Sequence, residues 1–411
     1  MDFEAQRVIE ALRSGVSSRA VGHYFSSARP ELMEQISGKL DQVRDSGESS
    51  GMVMSGKYGE GKTHLLNTVF NLGQSNNMVV SLVSLSKETP LDKLYLAYQK
   101  LVSNTYLPGR LQPGFQHVMQ DITPNNPSAL DLLSFSKHLE TDKLFFVLSS
   151  FLNVDDPDEK YRLMSDLEGD FINNALLRQI YKRIFGQVVK YAVPFSKTRH
   201  TMDYFTLLSH LFKLLGYNGW VILFDETELV GRLGKKARLK AYNNMASFLF
   251  PDKSRLESTF TMFALGASYQ EDVIESKHEF ENLATTYVDR AQREPIEKVL
   301  NAIISAPQLQ PLNQDEILAV LKQVQEFHGR AYDWQPKLDV GEVLKASENR
   351  GYLLRTRIRA AVEVLDQLYQ YGKSGTIQIN ALGEPQYQEE ELPSLEGCIV
   401  DETISRNMLG S

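Results

Sequence analysis

The chain has 411 residues, of which 42% are hydrophobic and 23% charged, and its formal net charge is −8. These values favour a globular protein of two or three domains. They argue against a protein coated in nucleic acid, but not against a local basic patch. Its single cysteine, Cys398, excludes an internal disulfide and a multi-cysteine metal site. The N-terminus lacks the apolar core of a signal peptide, and no apolar run approaches the roughly 20 residues that span a bilayer. We therefore expect a soluble, cytoplasmic protein without a membrane partner.

The first hundred residues alternate between helical and strand patterns. Apolar residues recur at helical spacing in some segments, and short valine-, leucine- or methionine-rich runs lie between them. The elements predicted here are helices over residues 2–13, 31–43 and 62–74, strands over 52–55 and 78–85, and a helix that opens at Thr89-Pro90.

Residues 104–200 have a different character and predict a helical insertion. Prolines and glycines interrupt the first part, and an acidic run then includes Asp155, Asp156, Asp158 and Glu159. The elements predicted downstream are strands over 220–224 and 259–267, helices within 312–372, a short strand over 376–379, and an acidic tail with Glu389, Glu390 and Glu391.

The stretch GKYGEGKT, residues 56–63, fits the pattern G-x-x-x-x-G-K-[ST] without a departure. Polyphosphate must be wrapped by backbone N–H groups, and a Cβ at the tight positions would block that approach. Lys62 then supplies a cation to the β- and γ-phosphates, and Thr63 supplies a hydroxyl to Mg²⁺. The predicted nucleotide site consists of Gly56, Lys57, Tyr58, Gly59, Glu60, Gly61, Lys62, Thr63 and His64. For His64, which follows the loop, a structural role in the helix is the alternative.

A second motif, WVILFDETE over residues 220–228, predicts a strand that ends in two acids. Asp225 is expected to hold the Mg²⁺ shell, and Glu226 to polarise the attacking water as general base. The alternative is a strand that ends in a solvated acidic turn. Asp225 lies 162 positions after Thr63 (225 − 63), which is far more than a bare nucleotide domain needs. The predicted helices of residues 104–200 are therefore expected to lie inside that domain.

Three further polar positions have predicted roles near the nucleotide. Ser268 follows the strand over residues 259–267 and would sense the γ-phosphate, with a small-residue turn as the alternative. Arg355 lies in a helix of a predicted lid and would reach the nucleotide, with a solvated helix face as the alternative. Arg290 and Arg293 could act as arginines supplied in trans at a subunit seam, but a surface salt-bridge pair is the favoured interpretation.

Two basic runs are predicted polyanion contacts. The first, residues 231–240, follows the acidic strand directly and contains Arg232, Lys235, Lys236, Arg238 and Lys240. The second extends from Arg178 to Arg199 without an acid between them and also contains Lys182, Arg183, Lys190 and Lys197. Both runs are open to the simpler interpretation of a solvated charged surface, with DNA or RNA contact as the functional one.

Several segments together resemble a known family. They are RVIEALRSGVSSRAV, SGKYGEGKTHLL, VSLSKETPLDKLYLAYQKLV, GWVILFDETELVGRL, EFHGRAYDW and NRGYLLRTRIRAAVEVLD. The chain resembles, over most of residues 5–370, the ATP-binding protein family associated with BREX-type bacterial phage defence. That family belongs to the AAA-like ATPases and is similar to origin-recognition and signalling ATPases. The resemblance implies ATP and Mg²⁺ as ligands and ATP hydrolysis within a multi-protein system. The expected partners are other defence proteins, among them a helicase-like protein, and also DNA and further copies of the chain.

The expected fold is an α/β P-loop nucleoside triphosphatase of the AAA-like, ASCE type, with a parallel sheet, a helical insertion and a C-terminal helical lid. The expected divisions are 1–103 (N-terminal helices and first half of the ATPase domain), 104–205 (insertion), 206–300 (second half), 301–375 (lid) and 376–411 (short strand and acidic tail). Two other functions stay open beside an ATPase that acts on a partner protein or DNA. One is a nucleotide-gated assembly switch with incidental turnover, and the other is an initiator-like DNA-binding loader.

Overall fold

A mostly parallel five-stranded sheet forms the centre of the protein. The computed structural model describes residues 2–25, 29–110, 112–119, 122–252, 255–336, 340–341 and 354–372. The strands are β1 Ser50–Gly56, β2 Met78–Ser84, β3 Thr105–Tyr106, β4 Gly219–Asp225 and β5 Thr259–Gly266. Their order in the sheet is β1-β5-β4-β2-β3. The first four strands of that order are mutually parallel, and β3 pairs with β2 in the antiparallel direction at the edge.

Helices surround the sheet and connect its strands. The α-helices of the described residues that are used below are α1 Phe3–Ser14, α2 Arg19–Tyr24, α3 Pro30–Ser46, α4 Lys62–Ser75, α5 Leu94–Ser103, α6 Gln116–Met119, α7 Pro127–Ser136, α8 Lys143–Asn153, α9 Pro157–Ser165, α10 Asn174–Phe185, α11 Lys197–Leu214, α12 Lys235–Leu249, α13 Glu279–Thr286, α14 Arg290–Ile304, α15 Gln314–Tyr332 and α16 Leu354–Tyr371. Among the described residues, none of these helices is both long and apolar enough to cross a lipid bilayer.

Strand β4 is buried along its whole length, as a parallel strand covered on both faces must be. Successive side chains point to opposite faces of the sheet. Val221 and Leu223 pack with α3 and α4 on one face, in a core that includes Ile36. Ile222 and Phe224 pack on the other face, against the insertion helices and α12. This burial explains why the sequence of the strand is a continuous apolar run.

The strand order brings the two predicted motifs to one edge of the sheet. Strand β5 lies between β1 and β4, although it follows both in the chain. Its last residue, Gly266, is paired with Gly56 at the end of β1. The carboxyl ends of β1, β5 and β4 therefore lie side by side, which is where open α/β sheets bind their ligands. On the outer side of β1, the Ser55 N–H donates to the Pro307 carbonyl at 3.0 Å.

Helices from both ends of the chain form a second core. Val8 and Ile9 of α1 pack with Leu321 and Val324 of α15 and with Leu365 of α16. We call α1, α2, α15 and α16 the terminal-helix unit. Its packing joins α1 and α2 to α15 and α16, which lie in the predicted lid.

A hydrogen-bonded network of Arg13, Asp366 and His328 holds this unit together. The Arg13 guanidinium donates to both oxygens of Asp366, at 2.9 and 2.7 Å. The buried His328 donates from Nε2 to Asp366 Oδ1 at 2.9 Å, while its Nδ1 accepts a hydrogen bond from the Trp334 indole at 2.9 Å. Since these residues lie on or beside α1, α15 and α16, their contacts hold the three helices in one arrangement.

The insertion has its own buried ion pair. Lys143 at the start of α8 is fully buried, and its ammonium lies 2.5 Å from Asp166 Oδ2 and 3.0 Å from the Ile172 carbonyl. Tyr204 of α11 donates to the other oxygen of Asp166 at 2.8 Å. Burial lowers the pKa of the Lys143 ammonium and raises the pKa of the Asp166 carboxyl. The hydrogen bonds to Asp166 therefore join three segments of the insertion.

Most predicted elements are confirmed, with shifted ends. The helix expected to open at Thr89-Pro90 is wrong in its start: a turn occupies residues 91–93, and α5 begins at Leu94. The predicted strand 376–379 and the acidic tail lie outside the described residues, as do residues 337–339 and 342–353 of the segment 312–372 in which helices are predicted.

Candidate nucleotide-binding site

The glycine motif forms the loop between β1 and α4, as the sequence predicts. Gly59 and Gly61 have positive φ angles of 80° and 95°, which glycine adopts without steric cost. Gly61 caps the N-terminus of α4 without a side-chain hydrogen bond. The first amides of a helix lack intrahelical partners, and the positive end of the helix dipole lies there. This end of α4 therefore suits an anion.

The motif lysine is buried at the base of the cleft beside a third acid, Glu228. Lys62 is 8% exposed, and its Nζ donates to the Gly56 carbonyl at 3.1 Å. The same Nζ lies 3.6 Å from Glu228 Oε1. A phosphate that binds Lys62 would therefore compete with Glu228 for its charge.

The acidic residues at the end of β4 contact the start of α4, although β5 separates β4 from β1 in the sheet. The Thr63 hydroxyl donates to Asp225 Oδ2 at 2.7 Å, and the Glu226 N–H donates to Asp225 Oδ1 at 2.9 Å. Glu226 adopts a left-handed conformation, φ 55° and ψ 33°, which is strained for a non-glycine residue. Its side chain lines the cleft. The structure thus brings together Lys62, Thr63, Asp225 and Glu226, which the sequence predicted as one site.

Burial and the neighbouring Asp225 raise the pKa of the Glu226 carboxyl, against the opposing positive charges of Lys62, Arg355 and Arg232. Burial is also the main reason that the pKa of Glu228 is raised to about 7. Its Oε2 is buried without a hydrogen-bond partner. Sequence reasoning missed Glu228, although the spacing D-E-x-E over residues 225–228 was visible.

The terminal-helix unit covers the other side of the loop. Arg355, at the start of α16, donates from Nη1 to the Tyr58 hydroxyl at 3.0 Å, and its guanidinium carbon lies 5.1 Å from the centre of the Tyr58 ring. Both residues line the cleft. The apolar side chains of Leu12, Ile358 and Leu312 continue the lining away from the loop. The cleft therefore has a polar end at the motif and an apolar end between α1, α15 and α16.

A second arginine, Arg29, was not predicted. It lines the cleft in a left-handed conformation, φ 60°, and donates from Nη2 to the carbonyls of Glu60 and Gln310 at 2.8 and 3.1 Å. Burial lowers the pKa of Arg29 and raises that of the Glu60 carboxyl. Only the tertiary structure identifies Arg29, because its partners are carbonyls that no side-chain pattern marks.

The remaining predicted residues divide into those at the cleft and those away from it. His64 lines the cleft, and its Nε2 donates to the Phe25 carbonyl at 2.9 Å, while burial lowers the pKa of its ring. Lys57 is exposed on the loop. Ser268 follows β5 close to Gly56 but does not line the cleft, and Arg290 and Arg293 in the first turn of α14 do not line it either.

The first basic run does not form one basic surface. Arg238 is 3% exposed, forms an ion pair with Glu279 at 2.7 Å and donates to the Leu233 carbonyl at 2.6 Å. Its predicted place on a DNA-binding surface is therefore wrong. Lys235 and Lys236 are exposed, whereas Arg232 and Lys240 are only partly so.

One protein family matches the chain. Its description is "BREX system ATP-binding protein BrxC/D", and the matched residues are 2–122 and 164–379. The chain belongs to this family. Membership implies an ATP-binding role in phage defence, and it confirms the resemblance seen in the sequence. The unmatched residues 123–163 cover α7, α8 and most of α9. No curated protein and no solved structure shows significant similarity to the chain.

Proposed function

We propose that this chain is a Mg²⁺-dependent ATPase of AAA-like type that couples ATP turnover to a partner in the BREX system. The observation that carries the proposal is the 2.7 Å hydrogen bond between Thr63 and Asp225, which are 162 residues apart. It joins the phosphate-loop motif to the acidic strand in the arrangement that such hydrolysis requires.

The polar end of the cleft suits a triphosphate. The free amides at the start of α4 and the Lys62 ammonium would bind its oxygens. Thr63 and Asp225 fit a magnesium ion, because one hydroxyl and one carboxylate, completed by phosphate and water oxygens, is a donor set that Mg²⁺ prefers. When bound, the ion would neutralise charge on the phosphates.

Glu226 is the proposed general base. Its left-handed backbone turns it into the cleft beside Asp225, where its raised pKa brings it closer to the range in which a base works at neutral pH. Arg355 would contact the phosphates from α16. Ser268 stays a proposed sensor, and Arg290 and Arg293 stay proposed trans arginines.

The apolar end of the cleft is the proposed nucleobase pocket. Leu12, Leu312 and Ile358 line it, and all three belong to or adjoin the terminal-helix unit. A base held there would contact that unit while its phosphates contact the loop. Binding and hydrolysis would then change how the unit sits on the sheet domain, which would make it the lid through which a partner protein, such as a helicase-like one, senses the nucleotide.

The test is ATP hydrolysis by wild type and Glu226→Gln, with and without Mg²⁺. We expect turnover by the wild type and a loss of roughly a hundredfold or more in the variant, as removal of a general base usually causes, with ATP binding retained. Equal turnover by both proteins would rule out the proposed base. No turnover by either, with an ATP-dependent change in oligomer size, would favour the assembly switch.

A further inference from the structure

Helix α10 in the insertion is amphipathic, and its outer face combines cations with aromatic rings. Its inner residues Leu177 and Ile180 are fully buried. The outer residues lie at positions i, i+3, i+4 and i+7, which share one helix face. They are Arg178, Tyr181, Lys182 and Phe185, of which Tyr181 is partly buried, with its ring 5.1 Å from that of Phe146.

The following loop extends this face. The Arg178 guanidinium carbon lies 5.2 Å from the centre of the Tyr191 ring, so the loop folds back over α10. The Tyr181 and Phe185 rings are 4.5 Å apart, and Phe185 is 36% exposed. We call this surface the basic-aromatic face. Its exposed members are Arg178, Lys182, Phe185 and Lys190, and the partly buried rings of Tyr181 and Tyr191 lie beneath them, packed against Phe146.

The cations of this face lie in a segment of the sequence without acidic residues. No Asp or Glu occurs between Arg178 and Arg199, in a chain whose net charge is −8. Arg183 pairs with Glu159. In the part of the chain that the structure describes, Arg178, Lys182 and Lys190 form no ion pair with a carboxylate, in contrast to Arg238 of the other basic run.

We propose that the basic-aromatic face binds single-stranded nucleic acid. Exposed cations attract phosphates whatever the sequence, and an exposed ring beside them can stack an unpaired base. A duplex keeps its bases stacked inside and would leave Phe185 without that role. The proposal is independent of the nucleotide site, because none of these residues lines the cleft.

The test is fluorescence anisotropy of the full chain with a labelled oligothymidylate, a single-stranded RNA and a DNA duplex, over a range of salt concentrations. Lys182→Gln/Lys190→Gln should lower the slope of log affinity against log salt by about 1.4 and weaken single-strand binding about 20-fold at 0.1 M salt. The matched control Lys235→Gln/Lys236→Gln removes the same charge elsewhere and should bind as the wild type does. An unchanged circular dichroism spectrum and unfolding midpoint show that both variants are folded.

The aromatic part is tested by Phe185→Leu, which keeps an apolar side chain but removes the ring. We expect single-strand binding to weaken roughly 5- to 100-fold, the range for loss of one stacked base. The DNA and RNA oligonucleotides show which strand is preferred, and a preference for either supports the face. Three results would overturn the proposal. The first is that the wild type does not bind the oligonucleotides at low salt, and the second is that both double lysine variants lose the same amount of affinity. The third is that the duplex binds as tightly as the single strands and that Phe185→Leu does not weaken its binding.

Discussion

Two lysine–carboxylate pairs are buried in the part of the chain that the structure describes, and they differ in how completely their polar atoms are hydrogen-bonded. In the insertion, Lys143 and Asp166 are both fully buried, and Asp166 uses one oxygen for Lys143 and the other for Tyr204. In the cleft, Lys62 lies 3.6 Å from Glu228 Oε1, and the second oxygen of Glu228 has no partner. The first pair is a closed network, and the second is open.

The difference separates a structural lysine from one that can bind a ligand. A fully satisfied buried network holds one arrangement, whereas a partly satisfied one retains electrostatic capacity for another group. Lys62 also lines the cleft, whereas the Nζ of Lys143 lies 4.1 Å from the centre of the Phe195 ring. Burial of a lysine alone therefore does not mark a functional site. Lys62 differs from Lys143 in that its partner has an unsatisfied oxygen and in that it lines the cleft.

The largest expected effect is on folding, from Lys143→Met. It would leave Asp166 buried without its cation, which costs about 3–5 kcal/mol of the free energy of unfolding. Urea denaturation measures this loss, and ATP affinity of the folded fraction should not change. The double variant Lys143→Met/Asp166→Asn should recover part of the stability. If it is no more stable than the single variant, the pair is not the cause.

Lys62→Ala should affect ATP binding more than stability. Removal of the ammonium from a desolvated contact with phosphate should reduce the free energy of ATP binding by about 2–5 kcal/mol, which weakens binding roughly 30-fold or more. Titration with a fluorescent ATP analogue measures this change. The unfolding midpoint should fall less than in Lys143→Met, because Glu228, whose pKa is already raised to about 7, can take up a proton when its cation is lost. Unchanged ATP affinity would contradict the assignment of the cleft.

Glu228→Gln should alter how stability depends on pH. The folded pKa of Glu228 is raised from 4.5 to about 7, so its carboxyl contributes stability at low pH that is lost as the pH rises through that range. As the pH rises from 4.5 to about 7, the free energy of unfolding of the wild type should fall by up to about 3 kcal/mol relative to that of the Gln variant. Denaturation at several pH values checks this. The exposed control Glu281→Gln should give a curve parallel to the wild type.

The smallest effect is expected in the terminal-helix unit, where the ion pair of Arg13 and Asp366 is partly exposed. Burial acts to raise the pKa of Asp366, but hydrogen bonds from His328 and Arg13 hold it below its usual value. The stability they contribute is present above the unfolded pKa and is lost as the pH falls through the lower folded pKa. Arg13→Gln should cost about 1–2 kcal/mol at neutral pH and less at pH 3. A cost that grows in acid would contradict this account.

Contiguous residues were sufficient to predict the phosphate loop and the acidic strand. GKYGEGKT carries its chemistry in one loop and the start of one helix, and β4 is apolar along its length because both of its faces are covered. The pairing of Thr63 with Asp225 also followed, because each motif implies the other. The residues Arg29 and Glu228 did not follow, since their partners come from other segments.

The sequence by itself determined the family, the glycine loop and the two acids of the site, because these depend on local spacing that a short segment carries. The tertiary structure decided that β5 lies between β1 and β4, that Arg238 is buried against Glu279, and that α1 packs on α16. The physical reason is distance along the chain. Arg13 and Asp366 are 353 residues apart, and nothing local to either specifies the other. Such contacts form only when the whole chain has packed its cores.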